Sequence, residues 1–182
     1  MLTPVTAPTH FSALESVPLA ALVRPSLLEL GAVYVDRVRA TPSTVLHRGA
    51  LVRVHERPRR FRGTSEPRIV ASSDEWLLVD KPSGLPVHAT CDNAVDNVVV
   101  ILEKLTGEKL FVCHRLDIGT SGLCLFARTL AFRRQFAQAL ENRQVRKRYE
   151  ARVHGEVAPG RYRHWQRRRD RAPFHVEDPP SP

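Results

Sequence analysis

The chain has 182 residues, 42% hydrophobic and 26% charged, so it can bury a core and is not globally disordered. Its net charge of +9 points to a polyanionic partner, most simply nucleic acid. No apolar stretch approaches the roughly 20 residues that cross a bilayer, and the cysteines form no Cys-x-x-Cys pair, which argues against a membrane protein, a disulfide framework and a zinc site.

The basic residues are almost all arginines, since only four of the 28 are lysines. Arginine offers a planar fork to phosphates and base edges, and codon bias in a GC-rich genome is the alternative source of the excess. The N-terminus lacks the basic start and apolar core of a secretory signal. We therefore expect a cytoplasmic monomer, with an organellar presequence left open by the scarcity of acidic residues there.

Residues 1–18 are rich in Pro, Ser and Thr and predict a loosely ordered lead. The spacing of apolar residues is helical from residue 19 to residue 30. Within this stretch Pro25 is a suitable helix start, and Gly31 is a suitable stop.

A strand at residues 32–35, a turn at Asp36-Arg37 and two further short strands around Gly49 follow. This order resembles the C-terminal half of an S4-type RNA-binding module, a small α/β unit that would cover residues 19–55. The alternative is a generic α+β appendage.

Residues 56–68 combine several arginines with Pro and Gly and show little apolar periodicity, which is typical of a linker. This basic segment is either solvated or in contact with RNA. The residues that would contact RNA are Arg57, Arg59, Arg60 and Arg62.

A denser block follows from residue 69. Its predicted elements are strands at 69–71 and 76–80, a turn at 81–84, a helix at 95–105 closed by Gly107, strands at 110–113 and 123–127, a helix at 129–142 and a strand at 149–155.

The run His114-Arg115-Leu116-Asp117 lies between the two central strands, just before a turn of small residues. Side chains two apart share one face of an extended chain, so Arg115 and Asp117 can point into the same space. A neighbouring guanidinium keeps a carboxylate ionised. Asp117 is therefore a candidate nucleophile or base, and the alternative is an Arg–Asp pair that staples a loop.

Residues 77–88, 114–128 and 147–155 together are similar to the catalytic domain of the RluA-type RNA pseudouridine synthases. The central motif is the most specific, because His-Arg-Leu-Asp is followed after two residues by Thr-Ser-Gly-Leu. The resemblance spans about residues 68–158 and implies a catalytic domain over 69–158. It also implies an α+β fold on a mixed, largely antiparallel sheet with flanking helices, and isomerisation of uridine in structured RNA (rRNA or tRNA) without metal or other cofactor.

The same resemblance implies roles for single residues. Asp117 is the catalytic carboxylate, acting by attack on sugar or base or by proton removal. Arg115 helps to extrude the target nucleotide and takes its place. Tyr149 packs against the flipped ring and moves a proton, unless it is a half-buried strand tyrosine. The remaining substrate contacts fall to His114, Thr120, Ser121 and Gly122.

The turn Lys81-Pro82-Ser83-Gly84 is expected to brace the catalytic loop without taking part in the chemistry. His88, His114 and Asp117 have an alternative interpretation as a two-His, one-carboxylate metal triad. The family motif already accounts for His114, so we favour a site without metal.

After Gly155 we find no match to the family's C-terminal motif, whose arginine pairs with the catalytic carboxylate. We therefore expect a C-terminally incomplete domain, followed by an Arg-rich tail over residues 159–182. Either Arg163 or Arg167 replaces the arginine or nothing does, and the tail either binds single-stranded RNA or is frayed and solvated. The alternatives to an active enzyme are a non-catalytic RNA-binding protein and an unstable fragment.

Overall fold

The computed structural model describes residues 17–161, 165–167 and 175–177. The chain divides into two compact units, one ending at Val145 and the other beginning at Arg146. The lead predicted for residues 1–18 lies outside the described residues except for its last two, which form a short strand. No helix in the described part is long and apolar enough to cross a bilayer.

Short elements make up the N-terminal region. They are β1 (Val17–Pro18), a 3-10 turn (Leu19–Ala21), α1 (Pro25–Glu29), β2 (Val33–Val35), β3 (Val38–Arg39), β4 (Val45–Leu46) and β5 (Val52–Val54). Strand β1 pairs with β4, and β2 lies between β3 and β5, all antiparallel. The predicted helix–glycine–strand–turn order is confirmed, but the α-helix begins only at Pro25, because proline suits a first helical position and not a helix interior. The likeness to an S4 module stays a prediction.

The turn between β2 and β3 carries positive φ at both central residues, 48° at Asp36 and 70° at Arg37. Two-residue hairpin loops need this geometry to match the twist of their strands. The Asp36 carboxylate stabilises the turn, since it accepts the Leu51 N–H at 2.9 Å and lies 3.0 Å from His47 Nε2. The predicted turn is therefore in place, and it sets the direction of β3.

A four-stranded antiparallel sheet forms the larger part of the first unit. Its strands are β6 (Arg68–Ser72), β7 (Trp76–Lys81), β8 (Phe111–Val112) and β9 (Gly122–Ala127), in the order β6–β7–β9–β8, and its helices are α2 (Val98–Thr106) and α3 (Leu130–Glu141). Alternate residues of β7 and β9 pack with α2 in one core. The α+β fold class is confirmed, and every strand pair in the described residues is antiparallel.

Helix α2 begins at Val98 rather than at residue 95, because side chains before it hold a turn. The Asn93 side-chain oxygen accepts the N–H groups of Val95 and Asp96, both at 2.9 Å. Asn97 then caps the helix by accepting the Val100 N–H at 3.1 Å. The backbone just before α2 is thereby held in place, and it directly follows residues 86–91, which line the cleft described below.

The strand predicted at 149–155 is wrong: the described residues between Arg146 and Arg161 contain no helix or strand. An extended segment needs a neighbour for its N–H and C=O groups, and none pairs with this one in the described structure. In the tail, β10 (Trp165–Arg167) pairs antiparallel with β11 (His175–Glu177). Arg163 lies outside the described residues.

The basic segment 56–68 has no helix or strand before Arg68, as expected of a linker, yet it is not simply solvated. Arg59 donates from Nε and Nη2 to the two oxygens of Asp92, both at 2.9 Å. Arg60 pairs in the same way with Asp96, at 2.6 and 3.1 Å. Asp92 is only 6% exposed, and the Arg59 guanidinium holds the pKa of that carboxyl well below its usual range.

Replacing Asp92 with Asn should lower the free energy of unfolding at pH 7 by about 1–3 kcal/mol, because charge-assisted hydrogen bonds in a buried site are lost. The pKa of Asp92 is lower in the folded chain than in the unfolded chain, so its contribution is present above about pH 4 and is lost as the pH falls through the folded value. The difference in the free energy of unfolding between wild type and Asp92→Asn should therefore be smaller at pH 3 than at pH 7, and urea unfolding at the two pH values measures it.

Asp74→Asn is the matched control, since Asp74 lies on the exposed turn between β6 and β7. The control should unfold like the wild type at both pH values. A stability difference between Asp92→Asn and wild type that stays constant from pH 7 to pH 3 would contradict the assignment.

Candidate active site

A cleft of about 350 Å³ opens between two loop segments of the first unit. Residues 86–91 form one wall and residues 115–118 form the other. Asp117, Arg115 and His88 all line it and are exposed to solvent. The carboxylate and the guanidinium that the sequence predicts to share one space therefore do face the same cleft.

The wall that carries Asp117 is the connection between the neighbouring strands β8 and β9. The Cys113 N–H donates to the Leu125 carbonyl at 3.2 Å, which prolongs their pairing past β8. The Thr120 N–H donates to the Asp117 carbonyl at 3.1 Å and closes a turn. Gly122 then starts β9 with φ of 121°, a conformation that side chains rarely adopt. Asp117 thus lies on the turn at the end of a sheet.

A buried lysine lies behind this turn. Lys81, the last residue of β7, is fully buried, and its Nζ donates to the carbonyls of Pro82 at 2.9 Å, Leu85 at 2.7 Å and Ile118 at 3.3 Å. An ammonium has three N–H groups, so these carbonyls satisfy it. Burial lowers the pKa of Lys81, while the nearby Asp117 carboxylate acts in the opposite direction. The lysine therefore ties the turn at 82–85 to the residue next to Asp117.

Two further hydrogen bonds join the same pieces. The Ser83 hydroxyl donates to the Gly119 carbonyl at 2.9 Å, and the Gly84 N–H donates to the Ile118 carbonyl at 2.8 Å. Gly84 has φ of 91°, and a Cβ there would lie 2.3 Å from the Arg62 carbonyl oxygen, so only glycine fits. The predicted bracing by the turn at 81–84 is confirmed for the loop that carries Asp117, and the catalytic role of that loop stays a prediction.

Lys81 was predicted only as part of that turn, whereas the structure makes it the inward-facing end of a strand. The signal is present in the sequence, because Leu77, Val79 and Lys81 alternate and therefore share one face. Leu77 and Val79 are buried in the core. A lysine that continues a buried face must find partners there, which marks it as a structural residue of the site.

Arg115 does not pair with Asp117. Its Nη1 lies 3.5 Å from His88 Nε2 on the opposite wall, and no ion pair joins Arg115 to Asp117 in the described structure. The His88 Nδ1 lies 2.8 Å from the Ala89 carbonyl, which makes Nδ1 the donor and leaves Nε2 free to accept from the guanidinium. The loop-staple interpretation of the pair is therefore wrong.

His114 faces β9 and α3 rather than the cleft. Its Nε2 accepts the Leu125 N–H at 3.2 Å, and its ring centroid lies 6.1 Å from that of Phe136. The imidazole thus accepts a hydrogen bond from β9 at a point beyond the end of β8, where a backbone carbonyl of a longer β8 would otherwise accept it. Its predicted contact with substrate stays a prediction, and the structure gives it a position from which it holds the start of the Asp117 run.

The small residues beyond Asp117 form the rest of the turn. Thr120 and Gly122 are half-buried and Ser121 is exposed, while the lining of the cleft ends at Ile118. Their predicted substrate contacts stay predictions.

The four arginines predicted to contact RNA fall into two pairs. All four are exposed, but Arg59 and Arg60 form ion pairs with Asp92 and Asp96, and no ion pair of Arg57 or Arg62 is seen among the described residues. Tyr149 belongs to the second unit and is 62% exposed. The RNA-binding and catalytic assignments of these residues stay predictions.

Neither nearby thiol offers a better nucleophile than Asp117. Burial raises the pKa of both Cys113 and Cys124 to about 11, so both are protonated at neutral pH. The Cys124 Sγ also donates to the His114 carbonyl at 3.3 Å. In the part of the chain that the structure describes, no three His, Cys, Asp or Glu side chains are placed to hold a metal ion, so His88, His114 and Asp117 do not form a triad.

Comparison with known proteins extends these observations. A family model described as RNA pseudouridylate synthase matches residues 75–179, which includes the segment after Gly155 where we found no motif. The chain is 35% identical over 134 residues to the mitochondrial tRNA pseudouridine(32) synthase of Saccharomyces cerevisiae, covering 71% of this chain and 28% of the relative. It is 30% identical over 143 residues to the chloroplastic RNA pseudouridine synthase 6 of Oryza sativa, covering 75% and 30%.

Among solved structures, human RNA pseudouridylate synthase domain containing 4 matches with 30% identity and a TM-score of 0.36, over 42% of this chain and 30% of that one. The chain spans less than a third of the length of these curated relatives. The family model nevertheless covers more than half of the present sequence and includes the Asp117 loop and β7. The chain therefore belongs to the RNA pseudouridylate synthase family, of the RluA type that its motifs resemble.

Proposed function

We propose that this chain isomerises uridine to pseudouridine within RNA, with Asp117 as the reacting carboxylate. The observation that carries the proposal is the placement of an exposed Asp117 in the cleft, on a turn that a buried lysine braces from behind. This turn lies inside the segment that the family model matches.

The isomerisation breaks the N1–C1′ bond and forms a C5–C1′ bond, and a proton leaves C5 while one is gained at N1. Atoms and electrons therefore balance without a cofactor or a redox partner. A carboxylate beside the sugar serves as nucleophile at the sugar or base, or as the base that removes a proton. Each route needs the Asp117 carboxylate exposed and next to the bound uridine.

Arg115 is the residue we assign to extrusion of the target nucleotide. Its guanidinium lies at the cleft opposite His88, where a nucleotide that leaves the stack would enter. A guanidinium plane can occupy the vacated place, stacking on the neighbouring bases and contacting phosphates. His88 would hold that plane in position until RNA arrives.

Tyr149 is assigned to stacking on the flipped ring and to proton transfer on the strength of the sequence resemblance. Its ring is largely exposed and so is available to a ligand. We also assign phosphate contacts to Arg57 and Arg62, which are exposed in the basic segment.

The RNA is proposed to be structured, a tRNA or an rRNA. The net charge of +9 supports a polyanion as partner, and one relative is named for tRNA. One relative is named as mitochondrial and another as chloroplastic, so an organelle is also a candidate location for this activity. A cytoplasmic location stays a prediction of composition.

Asp117→Ala should reduce pseudouridine formation by at least about a thousandfold, because the reacting group itself is lost. Asp117 is exposed, so the variant should keep its fold and its affinity for RNA. The protein is incubated with RNA from cells that lack the gene, and pseudouridine is mapped by chemical labelling.

Asp74→Ala, which removes an exposed carboxylate away from the cleft, is the control and should keep full activity. Product yield unaffected by Asp117→Ala would overturn the assignment of the carboxylate. A wild-type protein that binds RNA but yields no pseudouridine would instead favour a non-catalytic RNA-binding protein.

Lys81→Met should lower the free energy of unfolding by about 1–3 kcal/mol, because buried carbonyls lose their donor. It should also reduce kcat about 10- to 100-fold, because the Asp117 turn loses its brace and small misplacements are costly. Thermal unfolding and steady-state kinetics below the unfolding temperature separate the two effects. The exposed Lys104, replaced by Met, is the control; an unchanged kcat in Lys81→Met would contradict the bracing role.

A further inference from the structure

The two walls of the cleft are held by different parts of the chain. The wall with Asp117 rests on the sheet and on Lys81, as described. In the opposite wall, Pro86 and Val87 are tied to the start of α2, whose N–H groups at Val98 and Val99 donate to their carbonyls at 3.0 and 3.1 Å. From His88 onward the support comes from the N-terminal region and from the basic segment.

Two side chains of the β2–β3 hairpin reach consecutive carbonyls of that wall. The Tyr34 hydroxyl donates to the Cys91 carbonyl at 2.8 Å, and Arg39 Nη2 donates to the Thr90 carbonyl at 2.7 Å. Tyr34 and Arg39 are register partners, and the guanidinium carbon lies 5.0 Å from the tyrosine ring centroid. The two contacts are therefore made by one stacked pair and fix the backbone path of the wall.

The backbones of the two regions also approach closely. The Ala94 N–H donates to the Leu30 carbonyl at 2.7 Å, and Arg39 Nη1 donates to the Gly31 carbonyl. A Cβ at Gly31 would lie 2.8 Å from the Ala94 Cβ and 2.6 Å from Arg39 Nη1. There is no room for a side chain here, which indicates a tight joint between the hairpin and the wall.

The far side of the wall is anchored as well. Asp92 accepts the Arg59 N–H and guanidinium, and the Asn93 amide donates to the Arg59 carbonyl at 2.7 Å. The side chains of Asp92 and Asn93 are both almost fully buried. The segment from His88 to Ala94 is thus held by the hairpin on one side and by the basic segment on the other.

We propose that Arg39 and Tyr34 are positioning residues for the reaction, which act by holding the wall formed by residues 86–91 at the correct distance from Asp117. The inference rests on the proposed function and goes beyond it. It gives the N-terminal region a part in the chemical step, where a detached RNA-binding module would affect only affinity for RNA.

Wall placement and RNA affinity have different kinetic consequences. A loosened wall leaves the phosphate-binding surface intact but lets the flipped nucleotide drift from Asp117, so kcat falls while KM changes little. Loss of a basic residue that only attracts RNA raises KM and leaves kcat unchanged. The two roles can therefore be told apart with matched variants.

The test compares Arg39→Gln with Arg53→Gln. Both arginines are register partners of Tyr34, on β3 and β5, so both variants remove the same charge from the same small sheet. No hydrogen bond from Arg53 to residues 88–94 is seen in the described structure. Tyr34→Phe is the second variant, which removes only the hydroxyl that reaches Cys91.

In full-length protein we expect kcat to fall about tenfold in Arg39→Gln and about threefold in Tyr34→Phe, with KM for RNA within about twofold of wild type. Arg53→Gln should keep wild-type kcat. The Thr90 amide donates to the Asn93 carbonyl and the Ala94 amide to the Leu30 carbonyl, and hydrogen–deuterium exchange of both amides should become at least about tenfold faster in the first two variants only.

Faster exchange together with a fall in kcat supports the proposal. Unchanged exchange, or faster exchange with unchanged kcat, overturns it, and so does a fall in kcat of equal size in Arg53→Gln. A wild-type protein without activity overturns the proposed function and with it the catalytic part of this inference, while the exchange data still judge the joint between hairpin and wall.

Discussion

The buried ammonium of Lys81 is the interaction on which the site depends. A cation in an apolar core must be surrounded by acceptors, and here the acceptors are backbone carbonyls from the turn after β7 and from the residue beside Asp117. One side chain therefore brings together two segments that are distant in sequence. With the hydrogen bonds of Ser83 and Gly84, it makes the position of Asp117 a property of the core rather than of a free loop.

The segment that follows the opposite wall also contains a buried charged group that needs hydrogen-bond partners, but there the group is an anion and its partners are donors. Asp92 is a buried anion and is satisfied by Arg59, by a backbone N–H and by the Thr90 hydroxyl. Because Arg59 belongs to the basic segment, a stretch that the sequence leaves as either solvated or in contact with RNA is partly used to satisfy a buried carboxylate of the protein itself. The cleft thus lies between two loops, each fixed by a buried ionic group, and the proposed reaction would need such a fixed frame for a nucleotide that is flipped and turned.

Several features could be predicted because their causes are local. The strand at 76–80, the glycine at 107 that ends α2, the helix that begins after Thr129 and the turn at Asp36-Arg37 all follow from neighbouring residues. The strand predicted at 149–155 was wrong, because alternation of apolar and polar residues indicates a face to bury but does not supply a neighbouring strand to pair with. The alternative of an Arg115–Asp117 ion pair was wrong because the fold brings another acceptor, His88 Nε2, within reach of the guanidinium. His88 is 27 residues away along the chain, so nothing in the sequence indicated this contact.

By itself, the sequence determined the family, the α+β class and the candidate carboxylate, because the His114–Leu123 motif is contiguous and specific. Only the tertiary structure showed that Lys81 holds the Asp117 turn, that Arg59 is committed to Asp92, and that Arg39 and Tyr34 reach the far wall of the cleft. The physical reason is common to all three. Each is a polar group that must find a partner after burial, and folding across tens of residues decides which partner is near.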